Sequence, residues 1–98
     1  RGLKMTVEQI EISGRRWFQK TMGNTYHTVE IWIDGKPVHK SERNYGYGNQ
    51  YVVTAREWLL FNGYLPGIEE SEPLWRYCQR SGIVFLDTVE EVSRRKDL

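Results

Sequence analysis

The sequence is short of the residues that most often announce a chemistry. It has one cysteine, two histidines and three prolines in 98 residues. A single cysteine, Cys78, excludes an internal disulfide and any zinc site built from several thiolates. Its setting, Trp75-Arg76-Tyr77-Cys78-Gln79, reads as helix, so Cys78 is expected to be a half-buried thiol rather than a nucleophile. No apolar run approaches the length of a membrane span, and Arg1-Gly2-Leu3-Lys4 lacks the apolar core of a secretion signal. No membrane partner is therefore expected. No Gly-x-Ser-x-Gly or Cys/His signature is present, and the carboxylates are scattered among basic neighbours. A non-enzymatic protein without a metal or cofactor is the expectation.

What the chain does have is rings: four Trp, six Tyr and three Phe. Large rings bury much area per residue, which helps a small core, but they also suit binding surfaces. Residues 1–98 are read as one small globular domain, because a chain of this length has no room for two cores. Net charge is +1, unevenly spread. Residues 1–50 carry eight Lys/Arg against five Asp/Glu, and residues 51–98 carry six against eight. The strand-like half is mildly basic, far short of a general nucleic-acid footprint.

The pattern along the chain changes period twice. Around Met5–Ser13 apolar and polar residues alternate, with Ile10 and Ile12 on one side. Gly14 is expected to mark a bulge or bend before the strand resumes through Lys20. Met22-Gly23-Asn24-Thr25 supplies a turn. Tyr26–Ile33 is the clearest strand, with His27, Val29, Ile31 and Ile33 on the core side and Tyr26, Thr28, Glu30 and Trp32 on the other. Asp34-Gly35 is a hairpin signal, and the polar stretch Pro37–Arg43 reads as an edge strand. After Tyr45-Gly46-Tyr47-Gly48 the spacing turns helical over Tyr51–Asn62, with Asn49 as N-cap and Gly63 as the stop. Leu74–Ser81 is a second helix ended by Gly82. Ile83 opens a last strand, expected to be long and to end in a charged tail. In that tail, Glu90/Arg94 and Glu91/Arg95 also fit helical spacing. The expected fold class is α+β: an antiparallel sheet of three to four strands with one or two helices on one face, in the order β-β-β-α-α-β.

Four constellations compete for a function. His27 and His39 are the only histidines and lack a carboxylate pair at ligand spacing, so His27 reads as a satisfied sheet histidine. Gly46-Tyr47-Gly48 before a helix resembles a phosphate cradle but has no Gly-Lys-Ser/Thr and no third glycine. It reads more simply as backbone that needs positive φ. Arg15, Arg16 and Lys20 interleave with Trp17 and Phe18, as a strand that stacks bases and neutralises phosphates would. Glu8, Glu11, Glu30 and Glu42 lie in the same half and oppose it. Finally, Arg16, Trp17, Tyr26, Trp32, Tyr45 and Tyr47 are of the types enriched at protein-binding hot spots and form a candidate partner-binding set. The same set would serve a homodimer.

The runs Arg16-Trp17-Phe18-Gln19-Lys20, Gly23-Asn24-Thr25-Tyr26-His27 and Tyr45-Gly46-Tyr47-Gly48-Asn49-Gln50-Tyr51 with Thr54-Ala55, and the closing Val92-Ser93-Arg94-Arg95-Lys96-Asp97-Leu98, resemble small open reading frames of tailed bacteriophages. The resemblance carries no activity. It implies a small protein made in the cytoplasm of an infected bacterium, acting on a host or phage macromolecule and able to inhibit a host protein, defence proteins included. A protein partner is the leading expectation, and single-stranded nucleic acid is the alternative.

Overall fold

The computed structural model describes residues 7–98. β1 (Gln9–Gln19) and β2 (Asn24–Ile33) form a long antiparallel hairpin, in register from Ile10↔Ile33 to Gln19↔Asn24. β3 (Lys36–Lys40) follows the Asp34-Gly35 turn, where both residues have positive φ, as a tight two-residue hairpin turn requires. The Asp34 carboxylate accepts from the N–H groups of Glu8 and Gln9 at 2.9 and 2.8 Å, which ties the turn to the start of β1. A two-residue strand, β4 (Asn44–Tyr45), also pairs with β2. α1 (Gln50–Phe61) and α2 (Leu74–Ser81) come next, then β5 (Val84–Val92) and a single 3-10 turn, Arg95–Asp97.

The class is α+β, as the change of period implies. The sheet, however, is mixed: β5 lies parallel to β1, giving the spatial order β3-β2-β1-β5 with β4 beside β2. A parallel neighbour needs a long crossover, and the two helices supply it. The sheet thus holds five strands, one of them too short to leave a period in the sequence. The last strand is long, as expected, and its carboxylates pair across the sheet instead of along a helix. Glu90 faces Arg15 at 3.8 Å and Glu91 pairs with Arg16.

Both helices cover the same face. Ile10, Ile12, Val29 and Ile31 are fully buried beneath Ala55 and Leu59 of α1, and Leu74, Tyr77 and Cys78 of α2 belong to the same core. Asn49 is the N-cap of α1 by position, but its side chain makes no capping bond. α2 ends at Gly82, with the Ile83 N–H returning to the Cys78 carbonyl at 2.8 Å. The loop between the helices is held by two arginines. Arg56 donates to the carbonyls of Glu69, Glu70 and Glu72, and Arg80 grips the Glu72 carboxylate at 2.5 and 2.7 Å.

Gly14 does not interrupt β1, contrary to the expectation of a bulge; the pairing runs straight through it. Its reason is space. A Cβ there would sit 2.5 Å from the Tyr51 ring, which lies flat over the strand. The Tyr51 hydroxyl donates to Asp87 of β5 at 2.7 Å, and burial, then that bond, push it up to about 12. One aromatic side chain thereby couples α1, β1 and β5.

Candidate binding surface

At one end of the sheet, register places three rings side by side. Trp17 is the partner of Tyr26 and Tyr26 the partner of Tyr45, so all three point to the face without helices. Trp17 stacks on Tyr26 at 6.0 Å, and Tyr45 meets Tyr26 edge-on at 5.8 Å. The Arg43 guanidinium lies 5.9 Å from the Tyr26 ring centre. Trp17, Tyr26, Arg43 and Arg95 line a small cleft of 100 Å³.

The chain reaches β4 by leaving β3 at Ser41. The Ser41 N–H donates to the Val29 carbonyl at 2.8 Å, and its hydroxyl accepts the Val29 N–H at 2.9 Å. This buried serine closes the stretch of the β2 ladder that neither β3 nor β4 reaches.

Beyond Tyr45 the turn is secured from the opposite face. The Gly46 N–H donates to the Thr25 carbonyl at 2.9 Å, and its own carbonyl lies 3.2 Å from His27 Nδ1. A carbonyl only accepts, so Nδ1 carries the proton, and Nε2 accepts from the Thr54 hydroxyl at 2.7 Å. Burial holds His27 below its ordinary 6.5, keeping the ring neutral, while the bond to Gly46 works the other way. Arg16 donates to the Gly48 carbonyl at 2.7 Å and pairs with Glu91, although its Nε has no partner. Gly46 is obligatory: its φ is 151°, and a Cβ would lie 2.8 Å from Gln50 Cβ. On either side of this pinned residue Tyr45 and Tyr47 stand out, 62 % and 73 % exposed.

The sequence-derived residues are therefore not one patch. Trp17, Tyr26 and Tyr45 are contiguous, and Tyr47 lies on the adjoining turn. Arg16 projects to the helix-covered face and holds the turn from beneath. Trp32 shares the open face but lies six residues along β2 from Tyr26, about 20 Å at strand rise. Of the nucleic-acid set, Arg15 is on the open face, Arg16 on the other, and Lys20 just past the end of β1. Arg15 is partly engaged by Glu90 and by the Asp97 carbonyl at 3.5 Å. Arg43 and Arg95 beside the rings were not singled out from sequence; Arg43 stands two residues before Tyr45, on the same phase.

Other chemistry finds little to stand on. His39 pairs with Ile31 and stacks on Trp58 at 4.5 Å, while His27 spends both ring nitrogens inside the fold. Among the described residues no group of three or more His, Cys, Asp or Glu is placed to hold a metal ion. Cys78 is buried completely, more than the half-burial expected, and burial pushes its thiol up to about 11, away from the reactive thiolate. No helix among the described residues is long and apolar enough to cross a membrane. No protein-family model, curated protein or solved structure matches the chain.

Proposed function

We propose that this chain is a non-enzymatic accessory protein of a tailed bacteriophage that works in the infected cell by binding a protein of the host or the phage. The observation that carries this is the pair Tyr45 and Tyr47. Both rings are mostly exposed, yet the backbone between them is fixed by Thr25 and His27, and Arg16 holds Gly48 just past Tyr47. Rigidly presented tyrosines offer large contact area with little side-chain entropy to lose, which is what a binding anchor needs. Trp17 and Tyr26 extend the same surface. Blocking a host protein, a defence protein among them, is the action such a surface would serve.

The test is affinity capture from infected-cell lysate, with and without nuclease. A protein retained after nuclease treatment, and lost by at least about tenfold with Tyr45→Ala/Tyr47→Ala while circular dichroism stays unchanged, is the expected result. Capture indifferent to the double substitution would remove the surface from the function.

A second reading, single-stranded nucleic-acid binding, is favoured by Arg43 and Arg95 beside Trp17 and Tyr26. Glu30, Glu90 and Asp97 oppose it. It requires affinity that falls steeply with salt, and flat titrations with DNA and RNA would remove it.

A further inference from the structure

β5 pairs with β1 on one side only. The Val84 N–H donates to the Glu8 carbonyl at 2.9 Å, and that bond sets the phase of the strand. In a parallel ladder one residue sends both backbone groups to one neighbour, and the next sends both the other way. Residues 84, 86, 88, 90 and 92 therefore face β1. Phe85, Asp87, Val89 and Glu91 offer N–H and C=O outward, and among the described residues nothing bonds to them. Of the usual protections of an edge, β5 has only its carboxylates. β5 contains no Pro and no Lys, and its pairing with β1 runs without a bulge.

The side chains of those four residues lie on the helix face. Phe85 and Asp87 line a mainly apolar groove of 320 Å³ between α1 and α2, walled by Val52, Val53, Leu74 and Trp75. Trp75 and Val53 are 57 % and 41 % exposed. Val53 and Asn49 also border the hollow beside Tyr45 and Tyr47, so the groove adjoins the proposed binding surface.

Charge selects the occupant. The charged residues of β5 are Asp87, Glu90 and Glu91, all negative. Arg15 and Arg16 meet the two glutamates from the inner strand, yet these side chains stay 70 % and 65 % exposed. Arg56, the cation in the groove, is committed to the loop carbonyls. A second copy pairing β5 with β5 would set six carboxylates on adjacent strands, and like charges there repel. A segment carrying Lys or Arg is complementary.

We propose that the outer edge of β5 and the groove beside it form a peptide-binding site: an extended segment of the protein partner adds to the sheet, an apolar side chain seats over Phe85, and Lys or Arg two and four residues away, on the same face of the added strand, meets Asp87 and Glu91. Strand addition of this kind takes affinity from backbone bonds and specificity from alternate side chains. The site deepens the protein-binding function proposed above and rests on it.

The probe is a fluorescent peptide, Thr-Leu-Thr-Lys-Thr-Lys-Thr, compared with its Glu-for-Lys version and with versions N-methylated at alternate amides in either phase. The Lys peptide is expected to bind and to slow hydrogen exchange at the Phe85, Asp87, Val89 and Glu91 amides. The Glu peptide and one N-methylated phase should bind at least about tenfold more weakly. Val89→Pro removes an N–H that faces outward, leaves the β1 ladder whole, and should weaken binding similarly. Trp75→Ala tests the groove without touching the strand. No binding up to about 1 mM, or equal binding by both N-methylated peptides or by a folded Val89→Pro chain, overturns the site. A dimer in sedimentation that Val89→Pro abolishes also overturns it, assigning the edge to a second copy. If a lysate protein is lost with Tyr45→Ala/Tyr47→Ala but kept by Val89→Pro, the edge assignment falls and the protein-binding function stands.

Discussion

Both faces of the sheet carry large apolar side chains, and they meet opposite fates. On one face Ile10, Ile12, Val29 and Ile31 are sealed by helices. On the other, Trp17, Tyr26 and Trp32 alternate with Arg15, Thr28 and Glu30 along the same two strands and stay half open to water. Shape explains the division. Branched aliphatic side chains have no polar tip and need full cover, whereas Trp and Tyr bury a ring and leave a donor wet. The covered face is thus built for stability, and the open end is where the proposed binding function places recognition.

The strongest way to break that contrast is to truncate one side chain on each face. Ile12→Ala should cost about 2–5 kcal/mol in urea unfolding, because the cavity sits under α1 and cannot collapse fully. Trp17→Ala removes far more atoms from the open face, yet should cost about 1 kcal/mol, the scale of an exposed aromatic pair. Comparable losses would mean that the rings are a second core. Gly14→Ala comes next, at about 1–3 kcal/mol, since the new methyl collides with Tyr51. Combining it with Tyr51→Ala should give less than the sum of the two costs, and strict additivity would show that the ring is not what Gly14 accommodates.

Acid should loosen the covered face in two stages. His27 is held below 6.5, so the folded state resists a proton that the unfolded chain accepts, and stability should fall as pH drops below about 6.5. The Arg80 guanidinium, gripping Glu72, holds that carboxyl down at about 2 against an ordinary 4.5. Its stabilisation is present above 4.5 and is lost between there and 2. Urea midpoints measured against pH should show both slopes. His27→Gln should flatten the first and Glu72→Gln the second. A single slope unaffected by His27→Gln would mean that the turn does not depend on the neutral ring.

Much of the covered face was legible because its signal is local. The alternation of β2, the Asp34-Gly35 hairpin and the spacing of Tyr51, Ala55 and Leu59 follow from period and turn chemistry alone. The parallel placement of β5 was not, since it depends on how far two helices carry the chain. Gly14 was misread because a strand glycine has two uses, and the ring it accommodates lies 37 residues on. The candidate site was legible in its types but not in its grouping. Arg16 and Trp17 are neighbours in sequence, and neighbours in a strand point to opposite faces. The free edge of β5 and its groove exist only after packing, and no local pattern marks them.

The smallest expected effect on folding bears most directly on the open end. Tyr47 touches the fold chiefly through its backbone, whose carbonyl accepts the Gln50 N–H at 3.2 Å. Truncating its ring should therefore change stability by no more than about 0.5 kcal/mol, as for surface positions generally. Gly46→Ala should act the other way. It leaves both tyrosines in place but forces strain and a clash at Gln50, so it should cost stability and weaken capture together. Tyr47→Ala measured by unfolding and by capture on the same preparation separates presentation of the ring from the ring itself. If Tyr47→Ala destabilised the chain as Gly46→Ala does, the exposed tyrosine would be a structural member, and the division between a stable face and a recognising end would fail at its most exposed residue.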